Sequence, residues 1–321
     1  MTGIGIAGAG AFGTALGVVL AQSGRKATIW AHQAAFADRI RNSNENPRLP
    51  GVALPDNLSV TSEIADIAEC DLVLLTTPMQ ALASVLEAHG PVLKARHMVA
   101  CCKGVDLATG RGPSAIIAES CTGVVPAVLT GPSFAADIAR GLPTALTLAC
   151  ADAKAGIALQ ERLSTPTLRL YRSSDTVGAE LGGALKNVMA IAAGIVIGTG
   201  LGESARAALI TRGFAEMQRF AQSYGAEPET LAGLSGFGDL VLTCTSQQSR
   251  NFGYGVALGR NAWFDPEITV EGAATARAVA AIARARGIDM PVTQSVAQVI
   301  DGHRSIEEAV KILLSRPLKE E

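Results

Sequence analysis

Short apolar runs alternate with helical patterns through the first half of the chain. Continuous apolar runs of this kind, separated by amphipathic segments, are typical of strands in a mostly parallel sheet that helices cover on both faces. The pattern therefore predicts an α/β fold with a doubly wound sheet over residues 1–178. The predicted strands are Gly3–Ala7, Ala27–Trp30, Leu72–Thr76, Met98–Cys102, Val125–Leu129, Ala145–Cys150 and Leu168–Tyr171.

The second half of the chain has helical periodicity and no convincing strand. We therefore predict an all-α domain over residues 179–321, with the boundary within or beside a long helix. The predicted helices of this domain are Val177–Ile197, Ser204–Tyr224, Pro228–Leu234, Thr269–Arg286 and Ile306–Ser315.

Composition narrows the classes of protein. The 321 residues are 48% hydrophobic, which supplies a buried core and excludes a disordered chain. A net charge of −2 and an aromatic content of 4% argue against a nucleic-acid partner, which would require a basic surface and stacking rings. The 34 glycines exceed the typical share of roughly 7%, which indicates many turns or a close approach of backbone to a ligand.

The cysteines and the apolar stretches predict a cytoplasmic protein without a membrane segment. The six cysteines lie mostly in apolar runs without a C-x-x-C spacing, which favours a reducing compartment. The run Ile4–Ala7 is too short for a signal sequence, and Val188–Gly202 is shorter than the roughly 18 residues that span a membrane. We assign no metal-binding residues, and the apolar helices of the second half leave a homodimer open.

The segment Gly8–Gly13 has the pattern G-x-G-x-x-G between a predicted strand and a predicted helix. In that context Gly8 permits the tight turn, Gly10 lets the backbone approach a pyrophosphate, and Gly13 lets helix and strand pack closely. The N–H groups at the helix N-terminus would bind the anion. We predict a dinucleotide site here, and a glycine-rich turn without a ligand is the alternative.

The turn after the second predicted strand bears on the choice of cofactor. Folds that prefer NAD usually hold an acid here that binds the ribose, whereas this chain has Ala31, His32 and Gln33 and no carboxylate before Asp38. Nothing in this turn repels a 2′-phosphate, so we predict NADPH or NADH as cofactor. We expect His32 near the adenosine end, an ordinary surface histidine being the alternative.

Polar residues follow two more of the predicted strands. Lys103 follows Met98–Cys102, at the sheet edge where open α/β folds bind ligands. Gly131–Ala135 follows Val125–Leu129 and begins a helix, which adds a second set of backbone N–H donors. The alternatives are a solvated lysine and a plain helix cap.

Lys186 lies among small and apolar residues in the segment Glu180–Asn187. A lysine on a helix that cannot expose every face is costly unless it is paired or functional. Such a lysine suits proton transfer to the oxygen of a ketone that accepts a hydride. The alternative is a side chain that reaches solvent.

Two further segments complete a polar set. Asp239 stands in a glycine turn, Leu234–Leu240, where its carboxylate can hold a lysine or a substrate hydroxyl. Ser249, Arg250 and Asn251 combine a hydroxyl, a guanidinium and an amide, which suits a phosphate. Taken singly, each segment also fits an ordinary loop.

Together these motifs resemble the NAD(P)-dependent glycerol-3-phosphate dehydrogenase family of bacterial type. The similarity extends over nearly the whole chain. The matching segments are Gly8–Leu16, Asn46–Gly51, Gly131–Ala135, Glu180–Asn187, Ala205–Gly213, Gly238–Cys244, Ser249–Asn251 and Glu271–Gly272.

The resemblance implies reduction of dihydroxyacetone phosphate to sn-glycerol 3-phosphate, for glycerophospholipid synthesis, with Lys186 as proton donor. It implies a Rossmann-type NAD(P)-binding domain, residues 1–178, and an all-α substrate and catalytic domain like that of 6-phosphogluconate dehydrogenase, residues 179–321, with the active site in the cleft. Its implied substrate contacts are Lys103, Gly131, Ser133, Lys186, Asp239, Ser249, Arg250 and Asn251. Its implied cofactor contacts, beside the three glycines, are Ala11, Phe12, His32, Lys103, Ala135, Arg250, Thr269 and Glu271.

Two other functions stay open from the sequence. A 3-hydroxyacid dehydrogenase also joins a glycine-loop domain to helices that carry a lysine, but its substrate is a carboxylate. A nicotinamide-sensing regulatory module would lack the lysine or the carboxylate, and both Lys186 and Asp239 are present.

Overall fold

A computed structural model describes residues 3–107 and 109–315 of the chain, which divides into two compact units, residues 1–180 and 181–321. The division falls within a long helix. The first unit contains every strand among the described residues, and the described part of the second is helical. The assignment of cofactor and substrate roles to domains 1–178 and 179–321 remains a prediction.

One eight-stranded sheet organises the first unit, in the order β3-β2-β1-β4-β5-β6-β7-β8. Every pair of neighbouring strands is parallel except β6 and β7. The strands are β1 Ile4–Ala7, β2 Ala27–Trp30, β3 Leu58–Thr61, β4 Leu72–Leu75, β5 His97–Ala100, β6 Val125–Thr130, β7 Thr144–Ala149 and β8 Leu168–Ser173.

Helices cover both faces of this sheet. Successive residues of β4 show it, because Leu72 and Leu74 join one apolar cluster while Val73 and Leu75 join another. Burial on both faces explains why the strands are continuous apolar runs. The helices of this unit are α1 Ala11–Gln22, α2 Ala34–Ser43, α3 Ala65–Ala68, α4 Met79–His89, α5 Pro113–Ser120, α6 Ala135–Ala139 and α7 Ala153–Leu163.

The helix α8, Thr176–Gly198, begins in the first unit and continues into the second. It is the one described helix long and apolar enough to cross a membrane by length and composition, and it is longer than the uncharged stretch on which the sequence prediction relied. In its most apolar window 89% of the residues are buried inside the protein, so packing within the chain accounts for its hydrophobicity.

The helices after α8 build the second unit. Their order is α9 Glu203–Gln222, α10 Pro228–Ala232, α11 Asp239–Thr245, α12 Arg250–Gly259, α13 Glu271–Arg286, α14 Pro291–Ile300 and α15 Ile306–Leu314, with a π-helical turn over Leu234–Gly238. This turn has a hydrogen bond from Gly238 N to Gly233 O, 3.0 Å long. The glycine turn expected around Asp239 is therefore wrong in detail, because Asp239 is the first residue of a helix.

Candidate active site

The glycine loop after β1 uses its three glycines in three different ways. Gly8 has a φ of +128°, which a residue with a Cβ rarely adopts. A Cβ on Gly13 would lie 2.5 Å from Gly8 O and 3.1 Å from Thr76 Cβ, so only glycine lets α1 pack against the end of β4. A Cβ on Gly10 would meet no protein atom within 4 Å, so nothing inside the protein requires this glycine.

The N-terminus of α1 suits a phosphate. No side chain caps it and its first turn has no acid, so its positive end meets no carboxylate from its own helix. Ala11 and Phe12 begin the helix, and both pack against the core of the first unit. Together with the open space beside Gly10, this geometry fits the pyrophosphate of a dinucleotide.

A second group of candidate residues lies where β5 and β6 end. Lys103 donates a hydrogen bond from Nζ to Gly131 O, 3.1 Å away, and Ser133 Oγ donates to the same oxygen over 3.2 Å. Gly131 has a φ of +137°, and a Cβ there would lie 3.3 Å from Leu146 Cα. Ala135 begins α6, which packs against α1. The structure thus brings Lys103, Gly131 and Ser133 into direct contact.

His32 is placed differently from these residues. It follows β2 and its side chain is exposed. The structure gives it no described hydrogen bond to another candidate residue, and its proposed contact with the adenosine remains a prediction.

Lys186 is buried in the second unit in a polar cluster. Its Nζ donates to Asp239 Oδ1 over 2.9 Å and to Thr243 Oγ1 over 2.7 Å. The exposed fraction is 7% for Lys186 and 1% for Asp239. A buried ammonium is tolerated when it is paired and hydrogen-bonded, and this pair meets both conditions. The cluster therefore holds Lys186 Nζ in a fixed orientation.

Small residues let the cluster form. Gly182 lies four residues before Lys186, so the two share a face of α8. A Cβ on Gly182 would lie 2.6 Å from Ser235 O and 3.0 Å from Gly236 Cα, so glycine allows the π-helical turn to approach α8 closely. The turn leads directly into α11, whose first residue is Asp239. Close packing of backbones thus places the carboxylate beside the lysine.

Cys244 borders the same cluster without taking part in acid–base chemistry. Burial raises the pKa of its thiol to about 12, an effect to which Asp239 adds and which Lys186 partly offsets. The group is therefore a protonated thiol at neutral pH and no nucleophile. All six cysteines lie within the described residues, are buried, and form no disulfide.

Asn251 joins three helices. Its Nδ2 donates to Asn187 Oδ1 over 3.0 Å, and its Oδ1 accepts from Gly272 N over 2.9 Å. Asn187 directly follows Lys186 on α8, and Gly272 lies in the first turn of α13. A Cβ on Gly272 would lie 2.6 Å from Asn187 O, so the three backbones meet closely. The N-termini of α12 and α13 are thereby fixed to the helix that carries the lysine.

The other candidates of this unit lie around that junction. Ser249 is the N-cap of α12, and its Oγ accepts from Phe252 N over 3.2 Å. Arg250 is the exposed first residue of α12, and Glu271 is the first residue of α13. Thr269 is exposed just before α13. No described hydrogen bond joins these four residues to Lys186.

Two polar residues near Lys186, Thr243 and Asn187, were not predicted as members of this site. Thr243 was not predicted because α11 was not, although a helix over this segment would place it one turn after Asp239. Asn187 follows Lys186 directly and is buried. Its position could have been recognised from the sequence, because a polar residue directly after a lysine in an apolar helix is itself expected to need a polar partner.

Comparison with known proteins identifies the family. A profile described as the NAD-dependent glycerol-3-phosphate dehydrogenase N-terminus matches residues 3–156, and one described as the C-terminus matches residues 175–311. The chain belongs to the NAD-dependent glycerol-3-phosphate dehydrogenase family. The resemblance found in the sequence motifs is therefore confirmed.

Relatives support this membership over the full length. The chain is 60% identical to glycerol-3-phosphate dehydrogenase (NAD(P)+) of Cereibacter sphaeroides over 318 residues, 99% of this chain and 100% of that protein. It is 59% identical to the Paracoccus denitrificans protein of the same name, over 99% of both chains. The crystal structure of glycerol-3-phosphate dehydrogenase from Coxiella burnetii superposes with a TM-score of 0.92 at 37% identity, covering 98% of this chain and 99% of that one. The glycerol-3-phosphate dehydrogenase fold predicted from the sequence is confirmed.

Proposed function

We propose that this protein is an NAD(P)H-dependent oxidoreductase that reversibly reduces dihydroxyacetone phosphate to sn-glycerol 3-phosphate. The observation that carries the proposal is the buried cluster of Lys186, Asp239 and Thr243 in a chain of the glycerol-3-phosphate dehydrogenase family. Relatives that share 60% and 59% of its residues have this activity in their names. A paired lysine in a dry site matches what a ketone reductase needs from a general acid.

Lys186 is the proposed proton donor to the ketone oxygen, and the acceptor of that proton in the reverse direction. Asp239 stabilises the ammonium and fixes its position through the 2.9 Å hydrogen bond. Thr243 Oγ1 accepts a second hydrogen bond from the ammonium, 2.7 Å long, and so further limits its movement. Both are therefore proposed to orient Lys186, and Asp239 also to contact the substrate.

The glycine loop is the proposed phosphate-binding part of the cofactor site. NADPH or NADH supplies the hydride when bound. Gly8, Gly10 and Gly13 allow the backbone of the loop and the first turn of α1 to face the pyrophosphate. The further proposed cofactor contacts are Ala11, Phe12, His32, Lys103, Ala135, Arg250, Thr269 and Glu271.

Cations and amides are the proposed substrate contacts. Lys103 is held at the carboxyl edge of the sheet by Gly131 O, and Arg250 and Asn251 begin α12. Charged donors of this kind recognise a phosphate. The full proposed set is Lys103, Gly131, Ser133, Lys186, Asp239, Ser249, Arg250 and Asn251.

We also propose the biological setting predicted from the sequence. Residues 1–178 would bind NAD(P) and residues 179–321 would supply the catalytic lysine. The buried thiols support a reducing, cytoplasmic location, and the burial of α8 supports function without a membrane. The net charge of −2 and the aromatic content of 4% support function without nucleic acid. The product would supply glycerophospholipid synthesis. A homodimer is proposed from the apolar second half, and light scattering of the purified chain tests it.

A spectrophotometric assay tests the function. NADPH and NADH oxidation is followed with dihydroxyacetone phosphate, with unphosphorylated dihydroxyacetone as the matched control. We expect rapid oxidation with the phosphorylated ketone alone. Equal rates with both ketones would contradict the phosphate site, and activity confined to a hydroxyacid such as hydroxyisobutyrate would favour a 3-hydroxyacid dehydrogenase.

A further inference from the structure

The segment after α2 is fixed to the glycine loop by a buried asparagine. Asn46 is 1% exposed, and its Nδ2 donates to Thr14 Oγ1 over 2.6 Å and to Ala9 O over 3.2 Å. Its Oδ1 accepts a hydrogen bond from Arg48 N over 2.9 Å. One side chain thus holds the backbone of Arg48 in a set position relative to the glycine loop.

The guanidinium of Arg48 is placed by a second contact. Its central carbon lies 4.5 Å from the ring centroid of Phe36, within the range of a cation–π interaction. Phe36 is in the first turn of α2, directly after the turn that follows β2, and packs against the core. Arg48 is itself exposed, so a ring on one side positions it while its N–H groups face outward.

The carboxylates on this stretch of chain are engaged elsewhere. Asp38, the first acid after β2, pairs with Arg41. Glu45 Oε1 accepts from Gly51 N over 2.8 Å. The turn itself has Ala31, His32 and Gln33 instead of an acid. The position that would bind the ribose hydroxyl of NADH is therefore without a carboxylate of its own, while Arg48 packs on Phe36 at the start of the helix that follows it.

We propose that Arg48 binds the 2′-phosphate of NADPH and makes the protein prefer NADPH over NADH. The turn after the second strand is where dinucleotide-binding folds recognise the 2′ position of the adenosine ribose, and a nearby arginine accommodates a phosphate there. Arg48 is connected to both parts of such a site, through Asn46 to the glycine loop and through Phe36 to α2. The guanidinium can donate two parallel hydrogen bonds to one phosphate. The inference rests on the proposed cofactor site at the glycine loop.

Binding measurements test the role without relying on turnover. Calorimetry compares 2′,5′-ADP with 5′-AMP, which lacks only the 2′-phosphate, on the wild-type chain and on Arg48→Met. We expect the variant to bind 2′,5′-ADP about 10- to 100-fold more weakly, as lost hydrogen bonds to a charged group imply, and to bind 5′-AMP almost as well as the wild type. Arg48→Lys should recover part of the affinity, since it keeps the charge and loses the paired donors.

Arg39→Met is the matched control. Arg39 is an exposed arginine on α2, so its removal changes the net charge equally. It should leave the ratio of the two affinities unchanged. An equal loss of both ligands in Arg48→Met would overturn the proposal and point to stacking on the adenine, and no change in either would place the guanidinium outside the site.

The same experiment separates this inference from the proposed reaction. Wild-type binding of both nucleotides together with no reduction of dihydroxyacetone phosphate would refute the reaction and leave the role of Arg48 intact. Rapid reduction with equal affinity for both nucleotides in the wild type would refute the role of Arg48 and leave the reaction intact.

Discussion

The glycine loop of the first unit and the lysine cluster of the second recognise their proposed ligands by opposite means. The loop offers backbone N–H groups and leaves room for a ligand by omitting a side chain at Gly10, while Gly8 and Gly13 permit its turn and its packing. The cluster consists of buried side chains, with an ammonium held between a carboxylate and a hydroxyl. The glycine loop depends on the lack of side chains, whereas the lysine cluster depends on the exact positions of its side chains.

The two sites also differ in how far apart their parts lie along the chain. The loop closes over six consecutive residues, with Thr76, the residue directly after β4, packed against it. In the cluster, Lys186 and Asp239 are separated by 53 residues and Lys186 and Thr243 by 57. The cluster therefore depends on helix packing, whereas the loop depends chiefly on local backbone geometry. Substitutions in the two regions should fail in different ways.

The largest expected effect is on turnover, in Lys186→Met. Removal of a general acid typically costs about 10²- to 10⁴-fold in rate, so kcat for dihydroxyacetone phosphate should fall by that factor. Binding of NADPH, measured by fluorescence, should persist because the glycine loop is untouched. Near-normal turnover would contradict the assignment.

Two controls accompany this variant. Lys154→Met removes an exposed lysine from the first turn of α7 and should keep full activity. Since Lys186→Met leaves Asp239 buried without its cation, a loss of about 3–5 kcal/mol in the free energy of unfolding is also expected. Thermal melting shows whether the variant is folded at the assay temperature.

The next effect distinguishes two glycines of the loop. Gly10→Ala adds a methyl group to space that no protein atom occupies, at a φ of −77° that alanine adopts readily. It should leave the melting temperature near the wild-type value and weaken NADPH and NADH together by about tenfold, the equivalent of about 1.4 kcal/mol.

Gly13→Ala is the matched variant in the same loop. Its Cβ would overlap Gly8 O at 2.5 Å, so we expect a loss of about 1–3 kcal/mol in the free energy of unfolding, as for other overpacked sites. Destabilisation of the fold by Gly10→Ala, together with normal binding of NADPH, would contradict the assignment of Gly10 to ligand binding and of Gly13 to packing within the protein.

A smaller effect on turnover is expected from Thr243→Val. The substitution keeps the shape of the side chain and removes the hydroxyl that Lys186 contacts at 2.7 Å. It also removes the 3.3 Å hydrogen bond that Thr243 Oγ1 donates to Asp239 Oδ1. Loss of these contacts to charged groups should lower kcat by about tenfold, with little change in KM. Thr245→Val is the control on the same helix, because that hydroxyl is exposed and bonds only to Val241 O among the described contacts. A change in KM alone would show that Thr243 contacts substrate.

The strands of the first unit were predicted well from the sequence because burial on both faces leaves continuous apolar runs. The strand β3, Leu58–Thr61, was missed since it lies at the sheet edge and carries an exposed serine. Gly8–Gly13 was recognised because the spacing of its glycines between a strand and a helix is a local pattern. The glycine loop could thus be predicted from spacing alone.

The lysine cluster could be predicted only in part from the sequence. Burial of Lys186 followed from its apolar neighbours, but pairing with Asp239 was one of two options, and the family resemblance was needed to name a substrate. The helix α12 was not predicted, and it contains Gly255 and Gly259. They serve contact between helices, since a Cβ on Gly255 would lie 2.9 Å from the carbonyl carbon of Ile191 on α8. Such contacts over long sequence distances leave no periodic pattern.

The last prediction concerns stability and Glu216 of the helical unit, a buried carboxylate that, unlike Asp239, has no described hydrogen bond to a cation. Its Oε1 accepts from Val292 N over 2.6 Å, and its Oε2 accepts from the backbone N and the hydroxyl of Thr293 over 3.1 Å. Burial outweighs these hydrogen bonds and raises the pKa of Glu216 from 4.5 to about 7. Glu180 of the other unit has its pKa raised to about 7 for the same reason, although it accepts from Ser114 N.

The sign of the pH dependence follows from these pKa values. A carboxyl whose pKa is higher in the folded than in the unfolded chain binds a proton more tightly when folded, so its contribution to stability is complete below about pH 4.5 and is lost as the pH rises through 7. Each group should contribute a fall of about 1 kcal/mol per pH unit between those values. In Glu216→Gln the slope due to Glu216 should vanish while that due to Glu180 remains, and Glu180→Gln should do the converse. Urea unfolding at pH 5, 6 and 7 measures both slopes, and an unchanged slope in Glu216→Gln would mean that this carboxylate stays ionised, stabilised by the N-terminus of α14 as Asp239 is by Lys186.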